Sequence, residues 1–235
     1  VATDNPLNVN YQYDTIKGWT APTTGLPTNI ADEAVLTDAK YAVAVPDVAG
    51  YTASVVDANG NTYTLAQLAN LPGMPAGGAT YTVTYTPNAQ RVNVVFKLNT
   101  TDGVDMNGRV AERIDGISNG TVSYDKITDL DVPGYAYQWQ NTVATFDSDD
   151  NQDQTVYIIY TAKSDQKAKL VFVNDPKQQA DIDTTNGTTN TQITFVNPTT
   201  KQTLTDQDLL RTGYTYVLAG TSNAYASLVN LPKYT

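Results

Sequence analysis

Three times along 235 residues a strand-like stretch is followed by a Gly-Tyr pair, and this recurrence restricts the chain to small units built on one plan. The stretches are Leu7-Asn8-Val9-Asn10-Tyr11-Gln12-Tyr13, residues 90–99 and residues 166–174, of which the last two align without a gap. The landmarks Gly50-Tyr51, Gly134-Tyr135 and Gly213-Tyr214 follow at similar distances. Repetition at such a period is the signature of tandem modules, each with a small core of its own. Short hydrophilic links at Thr86-Pro87-Asn88-Ala89 and Thr161-Ala162-Lys163-Ser164-Asp165 divide the chain into modules 1–88, 89–163 and 164–235. Links this short predict a semi-rigid, elongated rod. The pattern Ala-x-Leu-x-Asn-Leu-Pro at 66–72 returns at 226–232, which relates the first and third modules; the second lacks it.

Strict alternation sets the local structure. Val92, Val94, Phe96 and Leu98 share one strand face, as do Tyr81, Val83 and Tyr85 with threonines opposite. Val156-Tyr157-Ile158-Ile159-Tyr160 closes the second module as Tyr81–Tyr85 closes the first. Ser123 is positioned to cap a helix over 124–130, and Thr205-Asp206-Gln207-Asp208 has capping-box spacing. A strand pair, a helix, a Gly-Tyr turn and a closing strand follow the order of a β-grasp (ubiquitin-like) unit. The fold class expected is therefore α+β, mainly β. The first module runs on through Tyr81–Tyr85 after Leu71-Pro72, whereas three residues follow Leu231-Pro232. The third module is expected to lack its closing strand and to be less ordered for it.

Chemistry is bounded by what is missing. Cysteine and histidine are both absent, which excludes thiol nucleophiles, Ser-His-Asp arrangements, thiolate or imidazole metal sites and disulfides. Glu33 and Glu112 are the only glutamates, and nothing in the sequence around either suggests the apolar pocket that a glycosidase acid needs. The chain is expected not to be an enzyme. With 14 basic and 24 acidic residues, a net charge of −10 argues against nucleic acid, and no apolar run is long enough to insert in a membrane. The amino terminus lacks a basic-plus-apolar signal segment, so the chain reads as a piece of something longer.

Two groups of residues are candidates for binding. Asp147, Asp149, Asn151 and Asp153 take alternate positions as in a calcium loop, although Gln152 replaces the usual Gly and Ile158 the bidentate Glu. No cofactor is required; calcium is the one candidate, and a solvated acidic turn is the plainer reading. Aromatic faces stack on sugars, and Trp19, Tyr137 and Trp139 are the candidates. Tyr135, Tyr137 and Trp139 alternate on one strand face and equally suit a core, whereas Trp19 lies in loop-like sequence.

Tyr124-Asp125-Lys126-Ile127, Pro133-Gly134-Tyr135 and the run Phe146-Asp147-Ser148-Asp149-Asp150-Asn151-Gln152-Asp153-Gln154 give residues 121–160 a resemblance to the mucin-binding (MucBP-type) repeats of lactic-acid-bacterial adhesins. The outer modules share the Gly-Tyr landmark and not the acidic run. The resemblance implies β-grasp-like modules on the bacterial cell surface, anchored to the wall by a region outside this segment, with mucin glycoproteins or glycans as partners. Immunoglobulin is a further partner associated with some relatives. A monomeric, non-catalytic adhesin segment gaining avidity from repetition is the leading expectation. A purely structural stalk projecting a distal head is the alternative, and an accessory carbohydrate-binding module of a secreted polysaccharide enzyme is a third.

Overall fold

The computed structural model describes residues 1–184 and 186–235, which are mainly β with few and short helices. The first sheet comprises β1 (Asp4–Tyr13), β2 (Ile30–Leu36), β3 (Tyr51–Asp57), β4 (Thr62–Tyr63) and β5 (Ala79–Pro87), in the order β2-β1-β5-β3-β4. Alternation decides its faces: Leu7, Val9 and Tyr11 on β1 and Tyr81, Val83 and Tyr85 on β5 are buried, with polar residues between them. β1 and β5 run parallel, with Val9 opposite Tyr81 and Tyr11 opposite Val83, so the two apolar stripes lie side by side. Each such side chain contributes about 1.5–3 kcal/mol by leaving water. Parallel neighbours need a long crossover, and residues 14–78 supply it with β2–β4 and helix α1 (Leu65–Ala69). A capping box between Thr64 and Gln67 starts α1, which buries Leu68.

The second sheet repeats the plan. Strands β6 (Ala89–Leu98), β7 (Glu112–Ile117), β8 (Tyr135–Gln140) and β9 (Gln154–Ala162) are ordered β7-β6-β9-β8. Val92, Val94 and Phe96 of β6 and Val156, Ile158 and Tyr160 of β9 are wholly buried. The strands of residues 164–235 are short. Strand β10 (Lys169–Leu170) pairs with β11 (Ile182–Asp183), and β12 (Leu218–Ala219) pairs with β13 (Ala224–Tyr225), over a core of Ile182, Phe195, Leu204, Leu209, Leu218 and Leu228. The expected cap at Thr205 is present, with its N–H donating to the Asp208 carboxylate (2.8 Å) at the start of helix α2 (Asp206–Leu209). The matching segments 66–72 and 226–232 each form a helical turn, α1 and the 3-10 turn Leu228–Asn230. By packing, the described residues form two compact units: residues 1–95 with 110–127 and 140–157, and residues 96–109 with 128–139 and 158–235.

The helix expected over 124–130 is not there. Residues 124–127 make one turn, with Ile127 N–H on the Tyr124 carbonyl (2.9 Å), and Asp129 adopts a left-handed φ of 56°. Arg109 takes the carbonyls of Thr128 and Asp129, and the Tyr160 hydroxyl takes that of Leu130. A seven-residue helix is marginal by itself, so tertiary donors win these carbonyls.

In the third segment one ion pair ties the chain together. Arg211 grips Asp175 with two parallel hydrogen bonds, Nε to Oδ1 (2.6 Å) and Nη2 to Oδ2 (3.1 Å), in a largely buried position. These bonds hold the Asp175 carboxyl well below the ordinary carboxylate range; burial opposes them, and the Gln179 and Lys177 N–H groups add to them. A depressed folded-state pKa gives stability that is complete above the unfolded value near 4 and fades as pH falls toward the folded one. Asp175→Asn should therefore lower the urea midpoint at pH 7, and the difference from the parent should shrink between about pH 4 and pH 2. A constant difference across that range would show that the charge is not the cause.

Candidate functional site

Two of the three Gly-Tyr landmarks, Gly50-Tyr51 and Gly134-Tyr135, are hydrogen-bonded to residues far along the chain. Gly50 sits at φ 78° in a turn closed by Tyr51 N–H on the Val48 carbonyl (3.0 Å), and the missing side chain leaves its own carbonyl open to approach. That carbonyl accepts two hydrogen bonds, from Asn88 N–H (2.8 Å) and from the buried Ser118 hydroxyl (2.7 Å). The Tyr51 hydroxyl accepts from Asn119 Nδ2 (2.6 Å), and Asn119 holds a left-handed φ of 60°. Behind the hydroxyl, Gln90 Nε2 bridges Ser118 Oγ (3.2 Å) and Asp150 Oδ1 (2.7 Å). Asp150 also accepts from Asn88 Nδ2 (2.8 Å). Charge-assisted bonds of this kind are about twice as strong as neutral ones.

The second junction repeats the bonds to the glycine carbonyl and to the Tyr hydroxyl with other residues. Gly134, at φ 79°, accepts from Lys163 N–H (2.8 Å) and the Thr189 hydroxyl (2.6 Å), and Asn190 Nδ2 donates to the Tyr135 hydroxyl (2.5 Å). Ser118 and Thr189 each donate their own N–H to the linking residue's carbonyl, at Asn88 (3.0 Å) and Lys163 (2.9 Å). The asparagines are pinned from below as well, Asn119 N–H on the Phe146 carbonyl (3.1 Å) and Asn190 N–H on that of Tyr234 (2.8 Å). In the first segment Asp38 N–H meets the Met74 carbonyl (2.9 Å) in the same way, again from a left-handed residue. Gly213 repeats the turn at φ 78°, yet a Cβ there would have nothing within 4 Å, and Tyr214 is 61% exposed.

Each residue singled out from sequence has a definite place. Trp19 is half-buried in the first junction: its Nε1 donates to the Ser118 carbonyl (3.0 Å), and its ring lies 6.2 Å from Tyr13 and 6.3 Å from Tyr51. Tyr137 is 40% exposed on β8 with its ring 6.0 Å from that of Tyr160, and Trp139 is half-buried two residues on. In the acidic run, Asp147 Oδ1 accepts from Asp149 N–H (3.3 Å), Asp149 Oδ1 from Asn151 N–H (2.9 Å) and Asp153 Oδ2 from Asn93 Nδ2 (3.1 Å). The carboxylates of Asp147 and Asp149 thus shape successive Asx turns, and that of Asp153 ties the run to β6. Among the described residues no group of three or more acidic side chains is placed to hold a metal. The sequence reading passed over Ser118, Asn119, Asp150, Thr189 and Asn190. A signal for four of them existed in Gly116-Ile117-Ser118-Asn119 and Gly187-Thr188-Thr189-Asn190, a shared Gly-x-hydroxyl-Asn pattern that is absent from residues 1–88 and occurs once more at Gly220-Thr221-Ser222-Asn223.

No family model matches the chain, and no curated protein matches it.

Proposed function

We propose that the chain is a non-catalytic repeat segment of a bacterial cell-surface adhesin, in which β-grasp-like modules 1–88, 89–163 and 164–235 are clamped in series and serve foremost as a stalk. The observation that carries this reading is the recurrence of one hydrogen-bond set at Gly50 and at Gly134 with different residues supplying it. A linker left free would not need two donors on one carbonyl and a third on the neighbouring Tyr hydroxyl. The strand order β2-β1-β5-β3-β4 with a parallel central pair supports the β-grasp assignment. The use of Trp19 inside a junction favours a spacing role over a sugar-stacking one. No cofactor is needed, and calcium added at Asp147, Asp149, Asn151 and Asp153 should leave the melting temperature unchanged.

Residual dipolar couplings test the clamp. Residues 1–88 and 89–163 should share one alignment tensor, and Ser118→Ala with Asn119→Ala should separate it into two. Separate tensors in the parent chain would remove the stalk reading. Mucin contact is the second reading, favoured by the open ring of Tyr137. It expects saturable binding to immobilised mucin that Tyr137→Ala abolishes.

A further inference from the structure

The chain enters the first sheet on β1 and leaves it on β5, and these two strands lie side by side in parallel, paired from Leu7 with Ala79 to Tyr13 with Tyr85. A pull on the chain at Asp4 and at Asn88 therefore reaches the pair from opposite ends and slides one strand along the other. The bonds of a parallel ladder are evenly spaced, so sliding loads the whole register together. Peeling the same pair from one end would break its bonds one after another.

Neither loaded strand is at an edge. β1 lies between β2 and β5, and β5 between β1 and β3, so each must slide past two neighbours to leave the sheet. On the core face Val9, Tyr11, Tyr81, Val83 and Tyr85 are buried, which keeps water from the ladder on that side. On the other face side chains bridge the two strands beyond their midpoint. Gln12 Nε2 donates to Thr84 Oγ1 (3.2 Å) and the Thr86 hydroxyl to Asp14 Oδ2 (3.0 Å), while Asp14 N–H extends the ladder to the Tyr85 carbonyl (2.9 Å). Both points of load are tied as well. At the entry Asn5 Oδ1 accepts from Gly77 N–H (2.8 Å), and at the exit Asn88 N–H donates to the Gly50 carbonyl (2.8 Å) and Asn88 Oδ1 accepts from the Thr52 hydroxyl (2.7 Å).

We infer that residues 1–88 are a tension-bearing unit, in which a pull along the chain is carried by the β1–β5 pair in shear. Its resistance is directional: it follows from which ends of the pair are loaded and not from the stability of the sheet as a whole. Forced unfolding is governed by the rate of crossing a barrier, so bonds that must break together at that barrier weigh more than the same bonds broken in turn. The bridges at Gln12 and Asp14 lie toward the exit end of the pair. They share the load in shear, whereas peeling from the entry end reaches them last. The use of this resistance rests on the proposed stalk, whose modules must transmit a pull without opening; the geometry belongs to the first sheet alone.

The chain has no cysteine, so two introduced cysteines are unique handles for pulling single molecules of the full chain. Ala2→Cys with Ala89→Cys loads the pair in shear, and Ala2→Cys with Ala76→Cys loads it from the entry end alone; all three alanines are exposed. At one pulling speed the first pair of handles should open residues 1–88 at a force at least about threefold higher than the second. Gln12→Ala with Thr86→Val removes both side-chain bridges, and should lower the shear force by about a quarter while the peeling force stays as it was. Thr86→Val alone, which keeps the branched shape, should give a smaller change in the same direction. Equal forces for the two pairs of handles, or bridge variants that lower both forces alike, would overturn the inference. The dipolar couplings above fail separately. Two alignment tensors with a directional force would remove the clamp and leave the tension-bearing unit, and one tensor with equal forces would do the reverse.

Discussion

Gly50→Ala should destabilise the chain by about 3–4 kcal/mol, whereas Gly213→Ala, in the same turn conformation, should cost only about 1 kcal/mol. The two glycines share φ 78°, so the strain of placing an L side chain there is common to both. Their surroundings differ. A Cβ at Gly50 would lie 2.6 Å from Ser118 Oγ, 2.6 Å from Ser148 Cβ and 2.7 Å from Ser148 Cα, and one at Gly213 would meet nothing within 4 Å. Relief at Gly50 means moving Ser118 away, which gives up its bond to the Gly50 carbonyl and disturbs the Gln90 bridge to Asp150. Gly134→Ala should resemble Gly50→Ala, because its Cβ would lie 2.6 Å from Thr189 Cγ2 and 2.7 Å from its Oγ1. Urea unfolding followed by circular dichroism measures all three. Equal losses for Gly50→Ala and Gly213→Ala would mean that backbone conformation alone selects these glycines and that the junction contacts are incidental.

Phe146→Ala should cost about 3–5 kcal/mol, the range for emptying a buried aromatic site. Phe146 is buried, and its N–H and carbonyl are bound to the Gly120 carbonyl (2.9 Å) and to Asn119 N–H (3.1 Å). Its ring covers Gly116 so closely that a Cβ there would lie 2.1 Å from the ring edge. Gly116→Ala should therefore destabilise by about 1–3 kcal/mol by overpacking, since no unusual backbone angle is involved. The double variant is the decisive measurement. An alanine at 116 fits the space that the ring vacates, so the two losses should sum to more than the double variant suffers, by at least about 1 kcal/mol. Strict additivity would refute the contact. Tyr234 over Gly187 is the same pair in the third segment, with 2.2 Å between a Cβ and the ring.

Much of the fold was legible because alternation is local. β1, β5, β6 and β9 lie where apolar residues recur at every second position, and the Thr205 cap needs only side chains three residues apart. The Gly-Tyr pairs were legible as landmarks without a meaning. Their meaning depends on Ser118 and Asn119, some seventy residues along the chain from Gly50, and a side chain's partner at that range is not written in its neighbours. The acidic run shows the same limit. Its spacing drew notice to Asp147, Asp149 and Asp153, whereas the carboxylate that accepts from Asn88 and Gln90 at the junction is that of Asp150, the member out of phase.

Alternation, the glycines at left-handed turns and the absence of histidine and cysteine were decided by the sequence alone, since each follows from a residue's own geometry or chemistry. Tertiary structure alone decided that Trp19 faces a carbonyl, that 124–130 gives up its helix to Arg109 and Tyr160, and that β1 lies parallel to β5. In each case groups far apart in the chain compete for the same donor, acceptor or apolar surface, and only the folded arrangement determines which of them meet.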